Sequence, residues 1–213
     1  MRVHSIYLGA IATQIYDGRP VRTAGHKRAV PSAQLTRLGL VGDEQADRRY
    51  HGGPDQSLCV YPLEHYATWA RDLGRELLPG GFSENLTLSG LCEDDVGVGD
   101  ILGIGPPGEG RVEVQVSLPR GPCSRVAAKL EIPDLVARIK DSGRSGYYLR
   151  TLRDGEIRTG DEIVVLQRDP AGVSISEANQ VLYKQRRDRT ALLRVLAVEA
   201  LGKAWRKRLE SRL

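Results

Sequence analysis

One stretch, RVEVQVSLPRGPCSRVAAKL at residues 111–130, constrains the fold most because it joins a strand to a helix through a turn that carries a cysteine. Valines at every second position from Val112 alternate with other residues, which is the period of a strand with one buried face. Two prolines and a glycine then end the strand and restrict the backbone. Cys123 follows at once, and Ser124 is a residue type that caps helices. The pattern therefore predicts that Cys123 lies at the start of a helix.

Positive charge lies on both sides of this cysteine, at Arg120 and Arg125. A nearby cation or a helix N-terminus lowers the pKa of a thiol below its free value of about 8.5. We therefore interpret Cys123 as a thiolate that is ready to attack a substrate or to bind a metal. The alternative is a small, inert cysteine buried in a turn, which is the usual state of a protein thiol.

The order of short strands and helices predicts a chain that is mainly β with α. Short strands separated by glycine-rich turns fill the first hundred residues, which indicates a β-barrel or sandwich. Asp154-Gly155 predicts a hairpin between two later strands. From Ser174 the pattern becomes helical, with Glu177 completing a capping box. We predict a β domain over residues 1–169 and a small three-helix domain over residues 170–213.

A polar loop, LGLVGDEQADRRYHGGPD at residues 38–55, is the first candidate for a functional segment. Carboxylates and a histidine recur in it every four residues, but Gly-Gly-Pro interrupts any helix that would align them. We expect a loop that lets the backbone approach a ligand, with His51 and Asp55 as acid, base or hydrogen-bonding groups. A loop of Asx turns with a structural histidine is the alternative.

Two further pairs of polar residues are candidates for ligand contacts. Lys27 and Arg28 lie on a short extended segment, where adjacent side chains project to opposite faces, so only one of them can face an interior site. Glu84 and Asn85 stand just before an alternating strand, where they can fix a ligand or cap a turn. Solvation at the surface is the alternative for both cations.

Composition narrows the protein class and the compartment. Three cysteines without CxxC spacing argue against a disulfide framework and a thiolate zinc site, and they fit a reducing cytoplasm. No apolar run approaches the roughly 18 residues of a membrane span. The net charge of +4 lies largely in the C-terminal forty residues. Solvated helix faces explain such charge more often than nucleic acid does, so we do not expect a nucleic-acid partner.

The motifs HGGPD, YPLEHY, GFSEN, VGDILGIG and PRGPC, in this order and followed by a helical tail, resemble the MOSC family. The likeness is strongest to the YiiM-type members, which carry a MOSC barrel and a small three-helix domain, and it covers nearly the whole chain. Where the family reads GFGEN, this chain has Ser83.

The resemblance implies a β-barrel that binds the molybdenum cofactor, with Cys123 as a ligand of molybdenum. Lys27, together with Arg28, and Arg120 would steady the anionic pterin phosphate. His51, Asp55 and Asn85 match polar positions of the family's site, and the resemblance gives them contacts with the pterin or a part in proton transfer.

The resemblance also implies an activity, the reduction of N-hydroxylated compounds, including hydroxylamino base analogues, in a detoxifying role. Such a two-electron reduction needs an electron source. The sequence shows no flavin, haem or iron-sulfur motif, so a separate electron-donor protein, a reductase or a flavodoxin-like partner, is expected. The sequence leaves open whether two chains associate.

Two other functions use the same residues. In a cysteine hydrolase or acyl transferase, Cys123 would be the nucleophile, with His51 as base and Asp55 as its orienting group. In a non-catalytic carrier, the barrel would hold the molybdenum cofactor and the helical tail would dock a partner.

Overall fold

The computed structural model describes residues 1–108 and 110–213, which form thirteen strands and six α-helices. The strands are β1 (Arg2–Leu8), β2 (Ala12–Tyr16), β3 (Arg19–Thr23), β4 (Arg28–Val30), β5 (Ser32–Thr36), β6 (Gly39–Leu40), β7 (Leu58–Pro62), β8 (Leu86–Ser89), β9 (Ile101–Ile104), β10 (Val112–Pro119), β11 (Tyr147–Arg153), β12 (Gly155–Arg158) and β13 (Ile163–Gln167). The helices are α1 (Glu64–Leu73), α2 (Ser124–Leu130), α3 (Leu135–Ser142), α4 (Ile175–Tyr183), α5 (Arg189–Leu196) and α6 (Lys203–Glu210).

Eight strands form one curled sheet in the order β13-β9-β10-β11-β7-β8-β1-β4. Neighbours are antiparallel except β7 and β8, which run parallel and are joined through α1. The sheet curls into a half-barrel because the start of β13 returns to the start of β1. The Val3 N–H donates to the Asp161 carbonyl at 2.9 Å, and the Ile163 N–H donates to the Met1 carbonyl at 3.0 Å.

A smaller sheet of β12, β5 and β6 contributes to the same core. In it Ile157 pairs with Ala33, so β11 and β12 belong to different sheets and the predicted Asp154-Gly155 hairpin is wrong. The tight turn that Asp-Gly favours needs positive φ at its central residues, and neither Asp154 nor Gly155 is among the described residues with positive φ.

The main apolar core joins the half-barrel to the C-terminal helices. Leu118 of β10 belongs to the same buried cluster as Val181 of α4, Leu192 of α5 and Trp205 of α6. A second cluster packs α1, α2 and α3 around Phe82. Burial of the apolar surface in the main core holds α4, α5 and α6 against the half-barrel.

Local capping signals place the helices that the sequence predicts. The Ser174 hydroxyl accepts the Glu177 N–H at 3.0 Å, which starts α4, and Gly143 ends α3 with a φ of 77°. The predicted fold class is confirmed, with the barrel realised as a half-barrel. Within the part of the chain that the structure describes, no helix is both long and apolar enough to cross a membrane.

Candidate functional site

A cavity of about 110 Å³ lies where the start of β7, the end of β10 and the start of α2 meet two loops. The loops are the segment 24–27 after β3 and the polar segment 41–53. Its lining includes the polar and charged residues Lys27, Asp43, Glu44, Asp47, His51, Asn85, Arg120, Cys123, Arg125 and Lys129. The residues that line the site therefore come from distant segments of the chain, between Tyr16 and Tyr148.

Cys123 is half-buried in this cavity and lies at the start of α2, as predicted. The N-cap residue is Cys123 itself, and Ser124, the expected cap, is the first residue of the helix. Burial alone raises the pKa of the Cys123 thiol. A hydrogen bond with His51 and two backbone N–H groups of α2, together with the charge of Arg120, outweigh burial and lower the pKa from 9.0 to about 7. A substantial fraction of Cys123 is therefore thiolate, a soft donor, at neutral pH.

His51 reaches the thiol from the polar loop. Its backbone N–H donates to the Asp47 carbonyl at 3.1 Å, and the next residues, Gly52 and Gly53, have φ values of 83° and 84°. These left-handed conformations favour glycine and turn the loop back toward the sheet. The Gly-Gly pair therefore ends the polar loop so that its histidine lies beside Cys123.

A chain of hydrogen bonds joins Lys27, Asp43 and Asn85 in the cavity wall. The Lys27 ammonium lies 2.5 Å from one Asp43 carboxylate oxygen, and the Asn85 amide donates to the other at 2.9 Å. The Asn85 side-chain oxygen accepts the Cys59 N–H at 3.1 Å. Asp43 therefore neutralises Lys27 and orders Asn85, so this wall is rigid and close to neutral.

Two other cations have no carboxylate partner among the ion pairs of the described residues. The Arg120 guanidinium donates to the Phe82 carbonyl at 2.6 Å and is 8% exposed. The Lys129 ammonium donates to three neutral oxygens, the Gly25 and Gly80 carbonyls at 2.9 and 3.0 Å and the Ser83 hydroxyl at 3.2 Å. Glu44 is the lining carboxylate without a cation partner among the described ion pairs, so Arg120 and Lys129 leave the lining with one more cation than carboxylate.

Burial lowers the pKa of Lys129 to about 8, and the charges of Arg120 and Lys27 act in the same direction. The charge of Glu84 opposes the shift. Lys129 therefore carries its proton at neutral pH but releases it more readily than an ordinary lysine.

Ser83 keeps a glycine-like backbone, with φ of 61°. Its hydroxyl donates to the Gly25 carbonyl at 2.8 Å, which ties this segment to the loop after β3. The replacement of the family's glycine by Ser83 therefore leaves a left-handed turn before Asn85 and adds a polar contact to Lys129.

The structure brings together most of the residues predicted from the sequence. Five of them line the cavity: Lys27, His51, Asn85, Arg120 and Cys123. Arg28 is exposed on β4 and does not line the cavity, so its position does not support the contact with the pterin phosphate that the resemblance implies. Of the two adjacent cations, Lys27 alone faces inward.

Asp55 is not brought to the cavity either. One oxygen of its carboxylate lies 2.8 Å from the Arg150 guanidinium, and the other accepts the Lys203 N–H at 2.9 Å. Asp55 therefore attaches the start of α6 to the half-barrel, and its position does not support the predicted role beside His51.

Sequence reasoning missed Lys129, and it noted Asp43 without assigning it a role. Asp43 binds Lys27, which is sixteen residues away, so no local spacing reveals the pair. Lys129 has a weak local signal, because it lies on the helix that begins at Cys123 and two turns from the thiol. Within residues 1–108 and 110–213, no group of three or more His, Cys, Asp or Glu side chains is arranged to hold a metal ion.

Comparison with known proteins identifies two matching family models. Residues 47–164 match the MOSC domain, and residues 173–213 match the YiiM-like, 3-alpha helix domain. YflK of Bacillus subtilis is 39% identical over 96% of this chain and 90% of its own length. YiiM of Escherichia coli is 33% identical over 97% of this chain and 90% of its own length.

A solved structure and a more distant relative extend the comparison. The crystal structure of YiiM from Geobacillus stearothermophilus superimposes with a TM-score of 0.83 at 34% sequence identity. The match covers 100% of this chain and 98% of the YiiM chain. A protein of Gibberella moniliformis named "Reductase" is 31% identical over 75% of this chain, which is 27% of the length of that protein. The chain therefore belongs to the MOSC family, among the members in which a YiiM-like three-helix domain follows the MOSC domain.

Proposed function

We propose that this protein binds the molybdenum cofactor through Cys123 and reduces N-hydroxylated compounds. The observation that carries the proposal is a cysteine with a lowered pKa at the start of α2, in a cavity lined by four cations, Lys27, Arg120, Arg125 and Lys129, and three carboxylates, Asp43, Glu44 and Asp47. Hydroxylamino base analogues are the substrates that the family resemblance implies.

The residues of the cavity fit such a cofactor. A thiolate is a soft ligand and suits a transition metal, and Cys123 supplies it. Arg120 and Lys129, which lack carboxylate partners in the described chain, suit the anionic phosphate of a pterin. Lys27 and Asn85 form the rigid wall on the other side.

When bound, the cofactor supplies a redox metal for two-electron chemistry. Conversion of a hydroxylamino group to an amine takes up two electrons and two protons and releases one water. Reduction therefore requires a proton donor near the metal ligand.

Two residues of the chain can hold that proton. The His51 imidazole lines the same cavity as the Cys123 thiol, and it is the first of the groups that lower the pKa of that thiol. Lys129 holds a proton at Nζ with a pKa of about 8, close to neutral. Both line the cavity, so proton transfer needs no movement of the sheet.

Electrons would come from a separate donor protein, either a reductase or a flavodoxin-like partner. The exposed basic residues of the C-terminal helices offer a surface for an acidic partner.

The hydrolase alternative has less support. His51 contacts Cys123, but Asp55 is engaged with Arg150 and Lys203 and cannot orient the imidazole from there.

The proposal is tested with the chain purified from a host that makes the molybdenum cofactor. We expect it to reduce an aromatic hydroxylamine with a chemically reduced viologen as electron donor. A Cys123→Ala variant should lose this activity, whereas Cys92→Ser, which alters a thiol outside the cavity, should retain it.

Turnover no greater than that of the released cofactor would identify a carrier instead of a reductase. Hydrolysis of an activated ester that depends on Cys123, in the absence of molybdenum, would favour the hydrolase.

A further inference from the structure

A second cavity, of about 590 Å³, opens beside the first. Six residues line both of them: Asp47, His51, Gln56, Cys123, Arg125 and Tyr148. The two cavities therefore meet at the Cys123 side chain. A group held in the first cavity faces a ligand held in the second across this shared wall.

The second cavity is built by both parts of the chain. Leu118 and Pro122 line it from the half-barrel, and Ala204, Trp205 and Arg208 line it from α6. Two backbone contacts fix α6 there, since the Gly202 N–H donates to the Ser117 carbonyl and the Lys203 N–H donates to Asp55, both at 2.9 Å. Of the C-terminal helices, α6 thus forms a wall of the second cavity.

The lining favours a flat aromatic ligand. Tyr50, at the edge of the cavity, is 69% exposed, although a tyrosine ring gains free energy when it is covered. Tyr148 and Trp205 also line the cavity but belong to the main core, so each exposes only a small part of its surface, at 9% and 5%. Leu118 and Pro122 add apolar lining. The volume lies within the range of about 300–1,000 Å³ that is typical of small-molecule sites.

The charge of the cavity favours an anion. Arg125 lies 3.5 Å from the Asp47 carboxylate, so these two lining charges offset each other. Arg208 is exposed and pairs with no carboxylate among the described residues. Its guanidinium lies 5.9 Å from the Tyr183 ring centroid and contributes a hydrogen bond to the Tyr183 side chain. A guanidinium has five N–H donors, so this contact leaves others for a ligand.

We propose that the second cavity is the substrate site, that it takes a planar aromatic compound with an anionic group, and that Arg208 selects the anion. The aromatic ring lies among Tyr50, Tyr148 and Trp205, and the reacting end points to Cys123. This inference depends on the proposed function in one respect, namely that the reacting group is N-hydroxylated.

The test measures binding to the cofactor-free chain with two probes of matched shape, 4-aminobenzoate and the neutral 4-aminobenzamide. The chain contains two tryptophans, and their indole N–H signals in a nitrogen-15 spectrum separate the regions. Trp205 lines the cavity, whereas Trp69 is fully buried in the other apolar cluster. We expect 4-aminobenzoate to shift the Trp205 signal alone and to bind about tenfold more tightly than the amide.

Arg208→Ala should remove the preference for the carboxylate. Lys207→Ala is the matched control, because Lys207 is exposed on the same helix and does not line the cavity. Three results would each overturn the inference. They are equal affinities of the two probes for the unaltered chain, equal effects of the two variants, and a shift of the Trp69 signal without a shift of the Trp205 signal.

This result is separable from the proposed function. A chain without molybdenum or turnover that binds 4-aminobenzoate at Trp205 would contradict the reductase proposal and leave the anion site standing. A chain that reduces aromatic hydroxylamines but binds neither probe would contradict the anion site alone.

Discussion

Two opposing effects set the ionisation of the Cys123 thiol. Burial favours the neutral thiol, whereas the hydrogen bond with His51, the N–H groups of α2 and the charge of Arg120 favour the thiolate. The second group prevails, and a pKa of about 7 leaves about half of the thiol ionised at neutral pH. The other two cysteines differ, because burial raises the pKa of Cys59 and raises that of Cys92 to about 12.

Alkylation of Cys123 by iodoacetamide should therefore rise with a midpoint near pH 7. His51→Ala removes a hydrogen bond to the thiolate and should move the midpoint toward 9. Mass spectrometry of the alkylated peptides gives the midpoint, with Cys92 as the slow internal control. A midpoint near 9 in the unaltered chain, or no effect of His51→Ala, would contradict the thiolate assignment.

Lys129 predicts a second pH dependence. Its pKa is lowered to about 8, so its charge is present below pH 8 and is lost as the pH rises through that value. Binding of sulfate, measured calorimetrically in a Cys123→Ala background, should weaken about three- to tenfold between pH 7 and 9.5. Lys129→Arg should bind without this fall, because arginine stays charged. Constant sulfate affinity in the background chain would show that Lys129 does not hold the anion.

At the scale of the helix and strand, the sequence was sufficient to predict an element where residues next to its ends determine its boundaries. Ser174 caps α4 and Gly143 ends α3, and the strand before Cys123 follows the alternation of its valines. The failed hairpin and the position of Asp55 have a common cause, because each depends on partners far along the chain. Asp55 binds Lys203, which is 148 residues away.

Asp55 should accordingly matter for the docking of α6 and not for the reactivity of Cys123. Asp55→Ala removes the ion pair with Arg150 and the hydrogen bond from Lys203, and should lower the free energy of unfolding by about 1–2 kcal/mol. Urea unfolding measures the loss, and Asp154→Ala, at an exposed position, serves as the control. Unchanged stability together with slower alkylation of Cys123 would return Asp55 to the site.

The whole molecule shares one main core between the half-barrel and the C-terminal helices. Unfolding should therefore be a single transition in which both regions lose structure together. Trp205→Phe leaves Trp69 as the fluorescent reporter of the α1–α3 cluster, and Trp69→Phe leaves Trp205 as the reporter of α6. Within each variant, the tryptophan transition should coincide with the loss of helical circular dichroism. Separate transitions would show that the helices unfold independently.

The sequence predicted the fold class because the periods of strands and helices are local properties. It predicted the family because several motifs occur in the order that is typical of that family. It did not predict the curl of the sheet, since the contacts between β1 and the start of β13 join residues about 160 positions apart. The cavity was predicted in outline from Cys123, His51 and Lys27. Lys129 was missed because it lies among apolar residues of α2. A lysine in such a pattern is usually assigned to the solvent-exposed face of the helix.

The molybdenum content of the purified chain tests the central claim most directly. The chain made in a host that synthesises the cofactor should carry stoichiometric molybdenum and pterin, Cys92→Ser should retain them, and Cys123→Ala should lose the metal while remaining folded. Absence of molybdenum from the unaltered chain, or its full retention by Cys123→Ala, would contradict the assignment of Cys123 as the metal ligand.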